Sequence, residues 1–337
     1  MKTSSIHMTS SLSLLGLDAA ATELAIDVKP LLRKFRIDPL LLDKPEGFIS
    51  SKSWSDFLEY TASEIDCSYL ALLIAKYRPP LGFGVLAQLL KASPDVGSAL
   101  IKGHQHAGIY TDLRWDLRIE KEHATVIRVD RMQLDGEIRQ HKSLSIAQYV
   151  KLLKGLLGPQ WHPVSVHFMF SPPKTIAYYK KFFGAPVYFA QEFDGIRFPA
   201  SDLKIPISTH DSELLEIIEQ HVATMERCKD DSLSSRVDLF IRQYMDSGAC
   251  SIELVADRMG MHSKALQRSL KAENTTFKEL LSEARMQVAE LYLSNTSIEL
   301  IQLSNILGYS SPSVLSRSFK KHHGVSPQYW RQHGGSA

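Results

Sequence analysis

The chain has 337 residues, 44% of them hydrophobic and 23% charged, with a formal charge of +2 at pH 7. These are the proportions of an ordinary globular protein with room for two domains, each with its own core. A charge so near zero excludes any argument for a nucleic-acid partner from the total, and no segment approaches the roughly 20 apolar residues of a membrane-spanning helix.

Read in chain order, Lys2 precedes Leu12-Ser13-Leu14-Leu15-Gly16-Leu17 and Ala19-Ala20-Ala21, a loose imitation of a secretory signal. Ser11 and Ser13 break the apolar run and Asp18 closes it, so a first amphipathic helix and a cytoplasmic protein are expected. Cys67, Cys228 and Cys250 lack metal-type spacing and leave one thiol unpaired, which suits a reducing compartment. Helical patterning falls at 18–35, 54–65, 85–91, 94–104, 145–157 and 175–183, and strand patterning at 109–119, 124–131, 164–170 and 187–193. Tyr110, Leu113, Trp115, Leu117 and Ile119 mostly keep one parity, as a half-buried antiparallel strand would. This mixture predicts an α+β domain over 12–210. A helical linker follows over 211–231, with Leu214, Leu215, Ile218 and Val222 on one stripe, ending in the polar junction Lys229-Asp230-Asp231-Ser232. The remainder, 232–333, shows no strand pattern and predicts an all-α domain.

That last domain repeats itself. Leu266-Gln267-Arg268-Ser269-Leu270-Lys271 recurs as Leu315-Ser316-Arg317-Ser318-Phe319-Lys320, and Ser-Ile-Glu-Leu stands upstream of each, at Ser251 and again at Ser297. Between them a small residue precedes a glycine by four: Ala256 with Gly260, Ser304 with Gly308. Two helices joined by a tight turn need a small side chain where they cross, and a residue that leaves the right-handed region without a Cβ penalty. His262 or Ser263 caps the first recognition helix, and Ser311 followed by Pro312 caps the second. The pattern is two helix-turn-helix units. Thr276-Phe277-Lys278-Glu279 opens a long connector as a capping box, with Phe277, Leu280, Leu281, Ala284, Val288 and Leu291 at helical spacing. A rigid connector lets one chain address adjacent major grooves, roughly 34 Å apart.

With Leu266, Leu270, Leu315 and Phe319 turned inward, the outward sets are Lys264, Gln267, Arg268 and Lys271, and Ser313, Ser316, Arg317, Lys320 and Lys321. Each helix carries +3 and no acid, while residues 230–337 as a whole hold 12 basic against 11 acidic residues. Charge is thus sorted onto the groove-facing helices. Arg268 and Arg317 stand at equivalent places, with base edges and phosphates both open to them. Gln267 suits the edge of an adenine, Lys320 and Lys321 suit phosphates, and Lys271 either meets a phosphate or nothing. Arg285 is expected to brace the two units through a carboxylate, Trp330 to lie in the core, and His322-His323 to end a helix.

Residues 230–333 resemble the DNA-binding domain of the AraC/XylS family of bacterial regulators. The resemblance is carried by Leu266-Gln267-Arg268, Leu270-Lys271, Arg285, Leu307-Gly308-Tyr309-Ser310, Arg317-Ser318-Phe319-Lys320-Lys321, Gly324-Val325-Ser326-Pro327 and Trp330-Arg331. His262 stands for the family's usual Ser, Ser304 for Ala and Leu315 for Phe. The N-terminal part resembles the effector domain of one branch through Pro80-Leu81-Gly82, Leu86, the stretch from Ser93-Pro94 to Gln105, Phe182-Phe183-Gly184-Ala185-Pro186-Val187 and Phe198-Pro199. The resemblance implies a regulator of double-stranded DNA whose N-terminal domain senses a small-molecule effector, self-associates as a homodimer, or both, and which contacts RNA polymerase; no cofactor and no membrane partner are expected. An alternative is a constitutive regulator whose N-terminal domain only dimerises.

Other patterns weigh less. His104 and His106 lie two apart and face different ways on a helix, which fits surface or pocket lining better than metal. The aromatic run Tyr178-Tyr179, Phe182-Phe183, Tyr188-Phe189 lines either a ligand cavity or the core. No phosphate loop, nucleophile elbow, HExxH or paired catalytic carboxylate is present, so no enzyme is expected.

Overall fold

The computed structural model describes residues 7–45, 47–82, 84–111, 113–130, 138–227, 232–245 and 250–333. Cys228 and the junction residues 229–231 lie outside them. The chain divides into two compact units, Met1–Lys229 and Asp230–Ala337.

The N-terminal unit begins with strand β1 (Met8–Ser10), helices α1 (Leu17–Glu23) and α2 (Val28–Lys34), and strand β2 (Phe48–Ser50), which pairs antiparallel with β1. The single helix expected over 18–35 is two. Pro30 lacks an N–H and would clash with the carbonyl four residues back, and Ala25 turns the chain at φ 53°, so a new helix starts at the Asp27 cap. Helices α3 (Ser51–Glu64), α4 (Leu70–Tyr77), α5 (Val85–Ala92) and α6 (Val96–His106) follow. Every residue from Leu70 to Ala75 of α4 is buried, as a helix apolar on all sides must be.

Strands β3 (Leu113–Glu120) and β4 (His123–Asp130) form a hairpin, and α7 (Arg139–Leu157) crosses to β5 (Ser165–His167). Helix α8 (Ile176–Phe183) then leads to β6 (Val187–Tyr188) and β7 (Gly195–Pro199). The sheet order is β3-β4-β7-β5-β6, antiparallel except for β5 beside β6. An α+β domain is therefore what the chain builds. Of the strand expected over 187–193 only Val187–Tyr188 pairs, and the central strand β7, short and bounded by Gly195 and Pro199, escapes periodicity. Helix α7 starts six residues before the expected 145. Glu59 accepts the backbone N–H of Gln140 at 2.6 Å, and the Gln140 amide group accepts from Ala71 N and donates to the Ser68 carbonyl, both at 3.0 Å. The aromatic run is mostly core: Tyr179 and Phe183 are buried around Phe168, with Phe189 stacked on that ring at 5.7 Å.

The last helix of this unit, α9 (Ser212–Arg227), corrects the linker expectation. Ile218 and Val222 are buried with Leu86, Leu89, Ala92 and Ile109, Leu215 packs beside them, and Glu219 pairs with Lys102. Leu214, expected on the same stripe, is exposed. The segment is a docked part of the first unit.

The C-terminal unit is all helical: α10 (Leu233–Met245), α11 (Ile252–Arg258), α12 (Ser263–Ala272), α13 (Phe277–Asn295), α14 (Leu300–Ile306), α15 (Pro312–His323) and α16 (Pro327–His333). Glu273 accepts the N–H groups of Leu233 at 2.9 Å and Ser234 at 2.8 Å, capping α10. The 19-residue α13, about 28 Å long, packs on α10 at one side and α16 at the other. Its buried residues are accordingly Ala284, Met286, Ala289 and Leu293 rather than the single expected stripe, and Leu291 is exposed.

Candidate nucleic-acid interface

Helices α11 and α12 form one helix-turn-helix, α14 and α15 the other, and their turns are equivalent bond for bond. Gly260 N donates to the Asp257 carbonyl at 3.0 Å and Met261 N to the Ala256 carbonyl at 2.8 Å. Forty-eight residues on, Gly308 N donates to Asn305 at 3.0 Å and Tyr309 N to Ser304 at 2.8 Å. This is the Schellman closure, with φ of 72° at Gly260 and 67° at Gly308. Ala256 and Ser304 are buried where the helices cross, and the Ser304 hydroxyl donates to the Ile301 carbonyl at 2.8 Å, so serine is tolerated there.

The register of the upstream repeat needs correcting. Ser251 caps α11 by accepting Leu254 N at 3.2 Å, but the cap of α14 is Glu299, which makes no side-chain cap bond. The second Ser-Ile-Glu-Leu is two residues out of step with the helix-turn-helix repeat, so Ser297 has no capping part.

The recognition helices present the expected side chains. Leu266, Leu270, Leu315 and Phe319 are fully buried. Lys264, Gln267, Arg268 and Lys271 are exposed on α12, and Ser313, Arg317, Lys320 and Lys321 on α15, while Ser316 is half-buried. Among the described residues, no hydrogen bond or ion pair engages the side chains of Lys264, Gln267, Arg268, Lys271, Arg317, Lys320 or Lys321. The charge of the six cations is unspent among the described residues. His262 occupies the cap position of α12 without a side-chain bond, and Ser311 caps α15 by accepting Val314 N at 3.4 Å, with Pro312 in the first turn.

The bracing residues are identifiable. Arg285 on α13 donates to the Gly308 carbonyl at 3.0 Å, and its guanidinium lies 4.8 Å from the Tyr309 ring centroid. The brace therefore ends on a carbonyl and an aromatic face, not on the expected carboxylate. Tyr309 in turn bonds the Ser318 hydroxyl at 3.1 Å, and Arg331 donates to the Ile298 carbonyl at 2.5 Å. Trp330 is half-buried, edge-on to Phe319 at 5.5 Å and bonded to Ser294. His322 and His323 close α15 facing Glu283 and Glu290 of α13, at 3.7 and 3.1 Å.

The N-terminal unit holds a cavity of about 140 Å³ that sequence patterning did not locate. Trp54, Leu90, Leu100, Trp115 and Leu144 are on its wall, together with Arg78, His141 and Gln148. His104, expected on a surface or in a pocket, lines it too and meets the Tyr149 hydroxyl at 2.6 Å. Burial holds its pKa down to about 4, against a smaller upward pull from Asp116.

Two equivalent helix-turn-helix units with outward cationic second helices define a DNA-binding transcription regulator. The known proteins agree. Residues 26–207 match the arabinose-binding domain of AraC transcription regulators, and residues 255–333 match a helix-turn-helix domain. The chain belongs to the AraC family of transcription regulators. It is 28% identical to the HTH-type transcriptional regulator VirS of Mycobacterium tuberculosis, over 93% of each chain. It is 24% identical to the ornithine utilization regulator of Pseudomonas aeruginosa, over 92% of each. Among solved structures it matches the transcriptional regulator CdpR of Pseudomonas aeruginosa at 19% identity and a TM-score of 0.43, covering 90% of this chain and 96% of that one. These relatives are regulators, not enzymes. Among the described residues no helix is long and apolar enough to cross a membrane.

Proposed function

We propose that α12 and α15 enter two successive major grooves of one operator, and that occupancy of the N-terminal cavity by a small molecule controls that grip. The observation that carries the first half is the set of exposed, unpartnered cations on two helices whose turns match bond for bond. Gln267, Arg268 and Arg317, with Lys264, Ser313 and Ser316 beside them, face base edges and the neighbouring backbone, whereas Lys271, Lys320 and Lys321 neutralise phosphates. The second half is supported by the cavity, whose buried wall combines apolar side chains with a few polar groups, as ligand pockets do. We further propose a cytoplasmic homodimer that contacts RNA polymerase at the promoter. The described thiols, Cys67 and Cys250, are free, and burial raises both pKa values, Cys250 to about 11, which fits inert thiols in a reducing compartment.

Footprinting the full chain on its own upstream DNA tests the grip. Two protected patches about 10 base pairs apart per bound chain are expected. A single patch, or protection that survives removal of both arginines (Arg268→Ala with Arg317→Ala), would show that the helices are misassigned. A metabolite that stabilises the chain without changing operator occupancy would leave only a dimerising role for the N-terminal domain.

A further inference from the structure

The wall of the N-terminal cavity also says what it admits. Arg78, just after α4, lines it. Its Nε donates to the Leu15 carbonyl at 2.8 Å and its Nη2 to the Ser13 carbonyl, and among the described residues no carboxylate pairs with it. Burial pulls its pKa from 12.5 down to about 9. A partly buried guanidinium held by neutral carbonyls has lost hydration without gaining a counter-ion among the described residues.

Among the described residues, nothing nearby compensates. The Lys151 ammonium is turned to the carbonyls that end α4, at 2.6 Å from Ala75 and 3.0 Å from Lys76, and burial together with the Arg78 charge lowers its pKa to about 8. His141 on the same wall is kept neutral, its pKa near 3, by burial and then by Arg128 and Arg78. No Asp or Glu is among the described lining residues. One acceptor is also idle. Gln148, 4% exposed, donates its amide to the Pro79 and Pro80 carbonyls at 3.0 and 3.1 Å, and its buried oxygen has no partner among the described residues.

We infer that this cavity binds a small, mostly apolar monocarboxylate, its carboxylate on Arg78 and its body between the leucines and tryptophans. This rests on reading the cavity as an effector site and adds the chemical class. The size agrees: an apolar cavity of about 150 Å³ takes up benzene, so one aromatic ring or a short chain fits here. A pentose would leave most of its hydroxyls facing apolar walls without partners. A basic amino acid would set its ammonium groups against Arg78 and Lys151 with no acid among the described lining residues to receive them.

The test is thermal unfolding and calorimetric titration of the full chain, without DNA, using benzoate and hexanoate against benzyl alcohol, arabinose and ornithine. Saturable stabilisation by an acid is expected, with the isosteric alcohol about ten- to a hundredfold weaker, the range of one charge-assisted hydrogen bond. Arg78→Gln should lose that same factor. If that variant does not fold, Leu100→Phe, which narrows the cavity and keeps Arg78, must abolish the stabilisation. Equal binding of acid and alcohol, full affinity in Arg78→Gln, undiminished stabilisation in Leu100→Phe, or no response to either acid overturns the inference. Stabilisation by arabinose or ornithine with none from the acids would sink the ligand class while leaving effector control intact.

Discussion

Replacing Arg285 by methionine isolates the brace between the connector and the second helix-turn-helix. Its bond to the Gly308 carbonyl at 3.0 Å is donated by a charged group, worth about 1.5–3 kcal/mol, and the guanidinium 4.8 Å from the Tyr309 ring adds about 0.5–2 kcal/mol. Against this, its Nε is buried without an acceptor among the described residues, an orphan donor costing about 1 kcal/mol or more. The net expected loss is about 2 kcal/mol, local to α14 and α15. Amide exchange in those helices should therefore accelerate about thirtyfold, with α11 and α12 less affected. Operator affinity should fall as α15 loosens, but the slope of log affinity against log salt should stay put, because no phosphate contact is removed. Arg285→Lys should not rescue, since an ammonium lacks the planar face that lies against Tyr309. A salt slope shallower by about 1, or unchanged exchange, would refute the reasoning: the first makes Arg285 a DNA contact, the second makes it idle.

Arg268→Ala and Arg317→Ala should each weaken operator binding by about 1–3 kcal/mol and relax preference at one base position, read by anisotropy on base-substituted duplexes. Loss uniform across sequences would move that arginine to the backbone. Lys320→Gln with Lys321→Gln should lower affinity evenly and reduce the salt slope by about 0.9 per contact. Leu315→Ala, at a fully buried position, should cost about 2–5 kcal/mol of stability in the second unit, seen as a lower melting temperature by circular dichroism. His104 titrates near 4 when folded and near 6.5 when unfolded, so between those values the unfolded chain binds the extra proton and stability falls as pH is lowered. About 3 kcal/mol is lost across that window, and His104→Asn should flatten that part of the profile.

Most of the DNA-binding half can be read from the letters because its rules are local. A buried small residue, a glycine with positive φ and a capping serine each act within one turn of helix, and Ala256, Gly260, Gly308 and Ser311 sit where those rules put them. Exposure of Arg268 and Arg317 follows from the spacing of Leu266, Leu270, Leu315 and Phe319. What escaped depends on distant partners. Periodicity cannot say that Arg285 ends on a carbonyl 23 residues away, or that Gln140 draws a polar stretch into α7 by reaching Ala71. Helix α4, apolar on all sides, has no amphipathic signal to offer. The cavity is assembled from segments between Thr9 and Leu152, and no single stretch announces it.

The twin turns are made of main chain and one glycine apiece, so they place no demand on the outward side chains that follow. Those side chains differ accordingly: Lys264 and Gln267 on α12 stand where α15 has Ser313 and Ser316, and Lys321 has Ala272 as its counterpart, while Lys271 and Lys320 match. A protein with two unlike heads in fixed sequence cannot treat a site and its reversal as the same. Under the proposed grip, an operator for this domain has a forward and a backward, and a single polypeptide is enough to fix which way it lies.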